Sequence, residues 1–387
     1  MLVATTLAAQ QAPAGFVTPE EDPVDTSWRL RRVASLKVGG QYALGAGLGL
    51  AYGRGPIPGP VARGARLSLM GHYGITGSRD AALTLEAPGV HRDWRAYATL
   101  RSERMLRTPY FGAFNEARTE DSLQERHGNR YYRYALLRST AFGTLQRRMA
   151  GSLWLNAGGQ VRRWRSSSLE GTPSLYQDDA GAADTQVFHG RELRAGALWD
   201  SRNDWVTPTR GLLVELLAAS GRVSGGGVRR GYQRYLLSAR EYLALQREGR
   251  TVLALRQRAV IASDTLPFFL AFEQPATWAP DDGIFSRRTV RLHGRGDQLA
   301  SSFGMVSADV RHVLIPPDWL VRPRRLWITG FVDIATLWEP GDELLRRNAW
   351  TIGGGFRLQI GRSFLAGVDA GLTTTGPHAS VGSQFGF

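Results

Sequence analysis

The chain has 387 residues and carries 48 basic against 34 acidic side chains, a formal charge of +14, with no cysteine. The missing thiols exclude disulfides, cysteine nucleophiles and Cys-ligated metals. A mean hydropathy of −0.24, with no run of 18 apolar residues, excludes membrane-spanning helices but not membrane-spanning strands, whose mark is alternation.

The basic excess is almost all arginine, since Lys37 is the sole lysine. It suits an anionic partner such as lipopolysaccharide, an acidic polymer or an unfolded client. It equally suits biased arginine usage on loops and lumen walls. No nucleic-acid-binding motif accompanies the charge, so nucleic acid is not an expected partner.

In chain order, Met1 to Gln10 is apolar with small residues, signal-like but without a basic leading segment. Residues 11–28 contain Pro and acidic residues and read as a flexible lead-in, so 1–28 forms one N-terminal segment and 29–387 one barrel domain. Candidate strands separated by turn signals follow at 32–38, 43–53, 62–74, 79–88, 92–105, 128–143, 148–163 and 190–200. Eight more fall at 211–221, 231–246, 250–262, 302–315, 325–337, 349–360, 364–374 and 379–387. The long connections, 106–127, 164–189, 263–301 and 338–348, all lie at one end, and those at the other end are mostly short. This asymmetry is expected of an outer-membrane barrel with short periplasmic turns and long external loops.

The faces agree. In strand 13, Leu326, Ile328, Val332 and Ile334 alternate with Thr329, Phe331 and Asp333. In strand 14, Trp350, Ile352, Phe356, Leu358 and Ile360 alternate with Thr351, Gly353, Gly355, Arg357 and Gln359. Strand 15 sets Phe364, Ala366, Val368, Ala370 and Leu372 against Gly367, Asp369 and Gly371. The inward face thus collects Asp333, Arg357 and Asp369, and the same parity turns Arg194, Glu215, Arg256, Arg258, Asp309 and Arg311 inward. Charges at alternate positions are costly against a dry core, so a hydrated lumen is expected. Tyr131, Tyr132, Tyr134, Trp199, Trp338 and Trp350 fit interfacial girdles. The expected fold is all-β: a 16-stranded antiparallel transmembrane β-barrel, closed by pairing of its first and last strands.

Four segments add a more specific signal. Asp200, Arg202, Pro208 and Gly211 form an Asp-x-Arg…Pro-x-x-Gly turn between strands 8 and 9; Pro109-Tyr-Phe-Gly112-Ala-Phe-Asn115 lies in the loop after strand 5. Gly330-Phe-Val-Asp333 is a Gly-x-x-Asp in strand 13, and the chain closes on Phe385-Gly-Phe387. In this order they resemble the BamA-like superfamily of outer-membrane barrels, of bacterial surface antigen type. The resemblance implies location in the bacterial outer membrane and a C-terminal insertion signal at Phe385 and Phe387. It also implies a long sixth external loop that folds into the lumen and sets an Arg-Gly-aromatic tip against the strand-13 aspartate. Here the tip corresponds to Val290-Arg291-Leu292-His293-Gly294-Arg295, with Leu292 in place of glycine and His293 in place of the aromatic. The expected contact is Arg291 to Asp333, with Arg295 the alternative donor and a solvated, partnerless loop the alternative arrangement. The residues before strand 1 are too few for the POTRA modules that precede many such barrels, so a barrel-only member or a fragment is expected.

By resemblance the function is insertion or translocation of polypeptides at a weak seam between the first and last strands, where Gly39, Gly40, Gly382 and Gly386 loosen pairing. The expected partners are outer-membrane lipid, lipopolysaccharide and unfolded outer-membrane or secreted clients. A passive pore or solute transporter with an arginine-rich lumen, and a structural surface antigen, are the alternatives. None of the seven histidines pairs at metal-ligand spacing, and no hydrolase motif occurs. Neither enzyme activity, metal nor cofactor is expected. Arg295-Gly296-Asp297 and the alternating Gly45, Gly47 and Gly49 read as coincidence and wall glycines respectively.

Overall fold

The computed structural model describes residues 28–39, 43–54, 65–91, 93–110, 125–169, 174–180, 185–204, 207–246, 249–264, 266–271, 273–278, 281–282, 290–291, 300–315, 324–341, 347–360 and 364–382. The sheet opens with β1 (Arg29–Gly39), β2 (Ala43–Arg54), β3 (Ala65–Gly74) and β4 (Arg79–His91). It continues through β5 (Trp94–Pro109), β6 (Arg133–Ala150), β7 (Leu153–Ser167) and β8 (Thr185–Asp200). Next come β9 (Gly211–Gly225), β10 (Val228–Ala244), β11 (Thr251–Ala262) and β12 (Ser302–Ile315). It ends with β13 (Arg324–Trp338), β14 (Arg347–Ile360), β15 (Phe364–Thr373) and β16 (Gly376–Gly382). Each strand pairs with its chain neighbours in one 16-stranded sheet without crossovers. No ladder between β1 and β16 is found among the described residues, so the expected closing pair is not part of the described fold. Residues 383–387, with Phe385 and Phe387, lie outside the described residues, as do Gly40 and residues 1–27.

The sheet inverts the polarity of a soluble protein. On β7, Trp154, Asn156, Gln160, Arg162, Trp164 and Ser166 are buried, while Leu155 and Val161 are exposed. Across the sheet Leu100, Leu145, Leu193, Leu216, Leu237, Ile334 and Ile352 also point outward, Leu193 at 75% exposure. A single exposed leucine is ordinary, but a contiguous belt of them is not. Strands of 10 to 18 residues over β2–β15 match or exceed the ~9–11 that cross a bilayer at a tilt.

Four details depart from the sequence expectation. Strand β6 runs to Ala150, past the expected end at 143, and the turn sits at Gly151, whose φ of 53° favours glycine. Arg147, expected in the turn, and Arg148, expected to open the next strand, both lie in β6, with their guanidinium groups over Trp94 at 5.4 Å and Trp154 at 4.8 Å. Residues 128–130, expected in a strand, form a short 3-10 turn instead. Tyr131, Tyr132 and Tyr134 do not form an interfacial girdle: all three are buried, with Tyr134 stacked on Tyr176 at 5.1 Å. Trp199 and Trp350 are exposed and Trp338 is half-buried.

The tyrosines belong to an inward-facing cluster at the long-loop end that includes Tyr110, Trp164, Phe188, Tyr232 and Phe269. Two wall glycines make room for it. A Cβ on Gly190 would lie 2.7 Å from the Trp164 ring, and one on Gly221 would lie 2.3 Å from the Tyr232 ring. A second apolar cluster, with Leu217, Leu236, Val260, Val290, Phe303 and Met305, sits deeper on the inner face.

Candidate functional site: a chain segment clamped to the inner face

The described residues of the connection from β11 to β12 pack against the inner face of the sheet. Its short helix Phe268–Ala271 packs Phe269 against Trp164 and Phe188, at ring separations of 4.8 and 4.6 Å. Beyond it, Glu273–Gln274 pairs antiparallel with Asp281–Asp282. An irregular backbone in such a place must find partners for its polar groups, and the wall side chains supply them. Arg234 donates to the Glu273 carbonyl at 2.8 Å and Arg258 to the Pro275 carbonyl at 3.0 Å. The Thr277 carbonyl accepts from Gln146 at 2.8 Å and Asn156 at 2.7 Å, and its hydroxyl donates to Glu215. Trp278 packs on Tyr97 at 5.7 Å.

Two carboxylate–arginine clamps hold the segment. In the first, the segment supplies the acid: Glu273 takes ion pairs from Arg138 of β6 and Arg162 of β7. Arg138 also pairs with Glu103 of β5, and Glu192 of β8 gathers Arg194, Arg234, Tyr232 and Gln160. In the second, the segment supplies the base. Arg291 donates Nε to Asp333 Oδ2 at 2.9 Å and Nη2 to Oδ1 at 2.8 Å, a bidentate fork. Its backbone N–H donates to Asp333 Oδ2 at 3.0 Å, Nη1 reaches Asp309 at 3.3 Å, and its carbonyl accepts from Thr351 at 2.7 Å. The guanidinium lies 3.8 Å over the Phe331 ring. Arg291 is 1% exposed and Asp333 0%, so each charge depends on the other.

Of the other residues singled out from the sequence, Arg194, Glu215, Arg311, Arg357 and Asp369 are all buried on the inner face. Arg311 donates to Asp309 at 3.2 Å and Arg357 to Asp369 at 2.6 Å. Much of the charge on the described inner face is ion-paired, and pairing offsets part of the cost of burying it. Arg295 lies outside the described residues. Sequence reasoning missed Glu273 and its partners Arg138 and Arg162. The strand parity of Arg138 and Arg162 was the available signal; Glu273 stands in an aperiodic loop and gave none.

The β8–β9 turn is a separate structure, tied to the neighbouring wall by Arg95 of β5, which stands 4.0 Å from Asp200. Arg202 forks onto Asp200 at 2.9 and 3.1 Å, and the Asn203 side-chain Oδ1 accepts the backbone N–H groups of Thr209 and Arg210 at 3.0 and 3.2 Å. Burial disfavours the Arg202 charge, but the Asp200 carboxylate outweighs it and holds Arg202 above the usual arginine range. Pro208 is buried in the turn. Gly211 closes it at φ 105°, where a Cβ would lie 2.4 Å from the Ser201 carbonyl oxygen. Gly211→Ala is expected to cost about 1–3 kcal/mol, read as a lower unfolding midpoint in detergent and slower refolding. An unchanged midpoint would contradict this role.

No family model and no curated protein matches the chain. Solved structures do. BamA from Haemophilus ducreyi lacking POTRA domains 1-3 aligns with a TM-score of 0.55 at 13% identity, over 97% of this chain and 73% of that one. CdiB from Escherichia coli aligns with a TM-score of 0.55 at 12% identity, over 98% of this chain and 67% of that one. CdiB from Acinetobacter baumannii aligns with a TM-score of 0.50 at 12% identity, over 90% of this chain. The chain spans 62% of that protein, less than two thirds. At these identities the likeness is one of fold: an all-β, 16-stranded antiparallel sheet similar to the BamA and CdiB barrels.

Proposed function

We propose that the chain is an integral outer-membrane barrel that inserts or translocates polypeptides, working at the edges of β1 and β16 rather than through an open lumen. The observation that carries this reading is the clamped segment. A passive pore needs a free path, whereas here Glu273, Thr277 and Arg291 are bound to strands on several sides of the inner face. The outward leucine belt supports a lipid surroundings, since strands with an apolar outer face and a polar inner one suit a bilayer. The similarity in fold to BamA and CdiB supports the same assignment. With the lumen occupied, a sheet edge is the surface on which an incoming strand finds unpaired backbone groups.

The test exploits the absence of native cysteine. Cysteines introduced in β1 and β16 are screened for a pair that crosslinks, and the chain is reconstituted in liposomes with an unfolded barrel client. The reduced protein is expected to accelerate client insertion over protein-free liposomes, and the oxidised, locked seam to abolish that acceleration. Equal activity in both states would remove the seam from the mechanism. No acceleration in either state would remove the insertase reading.

A further inference from the structure

On β4 to β10, the strand ends nearest the long loops carry arginines on the face turned away from the lumen. Arg79, Arg104, Arg163, Arg191, Arg222 and Arg229 are exposed, and the first four each stand between two buried neighbours. Their register brings them together. Arg79 lies directly opposite Arg104, and Arg191 directly opposite Arg222. Arg163 faces His189, two residues from Arg191, and Arg229 faces Ser224, two residues from Arg222. Four of the six therefore run diagonally across four adjacent strands spaced about 4.8 Å apart.

None of the six makes an ion pair or side-chain hydrogen bond with another described residue. Like charges directly opposite each other destabilise a strand pair, so two Arg–Arg pairs without a carboxylate partner among the described residues favour an added counter-charge. Their depth indicates where it comes from. One step further from the long loops on the same outward face, Val161 follows Arg163 and Leu193 follows Arg191; Leu100 lies two steps beyond Arg104, past Ser102. Arg163 and Arg191 thus border the apolar band directly, and the register places the other arginines beside them at the level of lipid headgroups. At the same end, the outward positions of β12 to β15 instead carry Gly304, Val306, Ile334, Asn348, Trp350 and Leu372.

We infer that this one-sided arginine belt binds the phosphorylated headgroups of lipids in the leaflet on the long-loop side. A guanidinium fork matches phosphate geometry, and neighbouring forks can share one doubly charged headgroup. The inference rests on the membrane reading above. It deepens that reading by naming a lipid class and by confining ordered lipid to β4–β10, apart from the β1 and β16 edges.

The full chain in detergent micelles is titrated with bis-phosphorylated lipid A, and bound lipid is counted by native mass spectrometry. The Arg163→Gln/Arg191→Gln/Arg222→Gln variant is expected to bind it about a hundredfold less tightly. The corresponding triple lysine variant should bind at an intermediate level. Lipid with the same acyl chains but no phosphate should bind neither protein, and inorganic phosphate should not displace lipid A. Equal binding by the wild-type and glutamine proteins, both showing the heat-modifiable gel shift of a folded barrel, would overturn the belt. So would full displacement by phosphate, which would mark a simple anion site. Should the glutamine triple not fold, Arg191→Gln alone must still weaken binding. Failure of the membrane reading looks different: wild-type chain that stays monodisperse without detergent and binds no lipid of any kind.

Discussion

Arg291→Ala is expected to destabilise the folded chain by about 3–5 kcal/mol, because it strands the buried carboxylate of Asp333 and weakens the hold on Asp309. The cost comes mainly from the charge left behind, not from the contact removed. Arg291→Ala/Asp333→Ala should therefore lose clearly less than the sum of the two single variants, with a coupling of ~1–3 kcal/mol. Arg291→Lys keeps the charge but loses the two-pronged match to Oδ1 and Oδ2, and should fall between wild type and alanine. Denaturant midpoints in detergent, read by the heat-modifiable gel shift, measure all four proteins. Strict additivity would mean that the pair is not a coupled unit. The alanine variant should also loosen the β11–β12 segment, seen as new protease cleavage between β11 and β12. The Thr351 bond to the Arg291 carbonyl should keep that loosening partial.

The way each part of this site could be foreseen differs with its physical origin. Alternation located β12 to β15 nearly to the residue, because in those strands one face is largely apolar and the other interleaves glycine, serine, threonine and charge with a few large apolar residues such as Phe303 and Phe331. It failed at β6, where Gln146 and Arg147 resemble a polar turn and Arg148 resembles the start of the next strand. Gln146 is polar because it holds the Thr277 carbonyl, a partner 131 residues away. Tyr131 and Tyr134 look like a membrane girdle from strand-end position alone. Their inward direction is set by Ser174 to Tyr176 packing beneath the same loop, with Tyr131 donating to Asp178 at 2.8 Å. Arg291 and Asp333 were paired through resemblance to known barrels, not through any periodicity. Glu273 lies 135 residues from Arg138, so only the folded chain joins them.

Glu273→Gln tests whether the segment keeps the lumen shut. The substitution retains shape and one carbonyl acceptor but removes the charge that faces Arg138 and Arg162. Arg138 keeps Glu103, whereas Arg162 is left with the neutral Gln160 as its described hydrogen-bond partner. With both guanidinium groups buried, the loss should approach the ~3–5 kcal/mol of a broken buried pair, and water entering the lumen is the cheapest relief. In planar bilayers the wild-type chain is expected to conduct little, and Glu273→Gln to show frequent openings that prefer anions, since Arg138, Arg162 and Arg234 would then line the path. Combining Glu273→Gln with Arg291→Ala removes both clamps and should turn flickering into a stable open level. The order of these conductances distinguishes two kinds of barrel. If the wild type already conducts as well as the double variant, the segment does not obstruct the lumen and a passive anion pore becomes the better description. If conduction appears only as the clamps are cut, flickering in Glu273→Gln and stable in the double variant, the resting chain is sealed by its own loop, as the proposed use of the sheet edge requires.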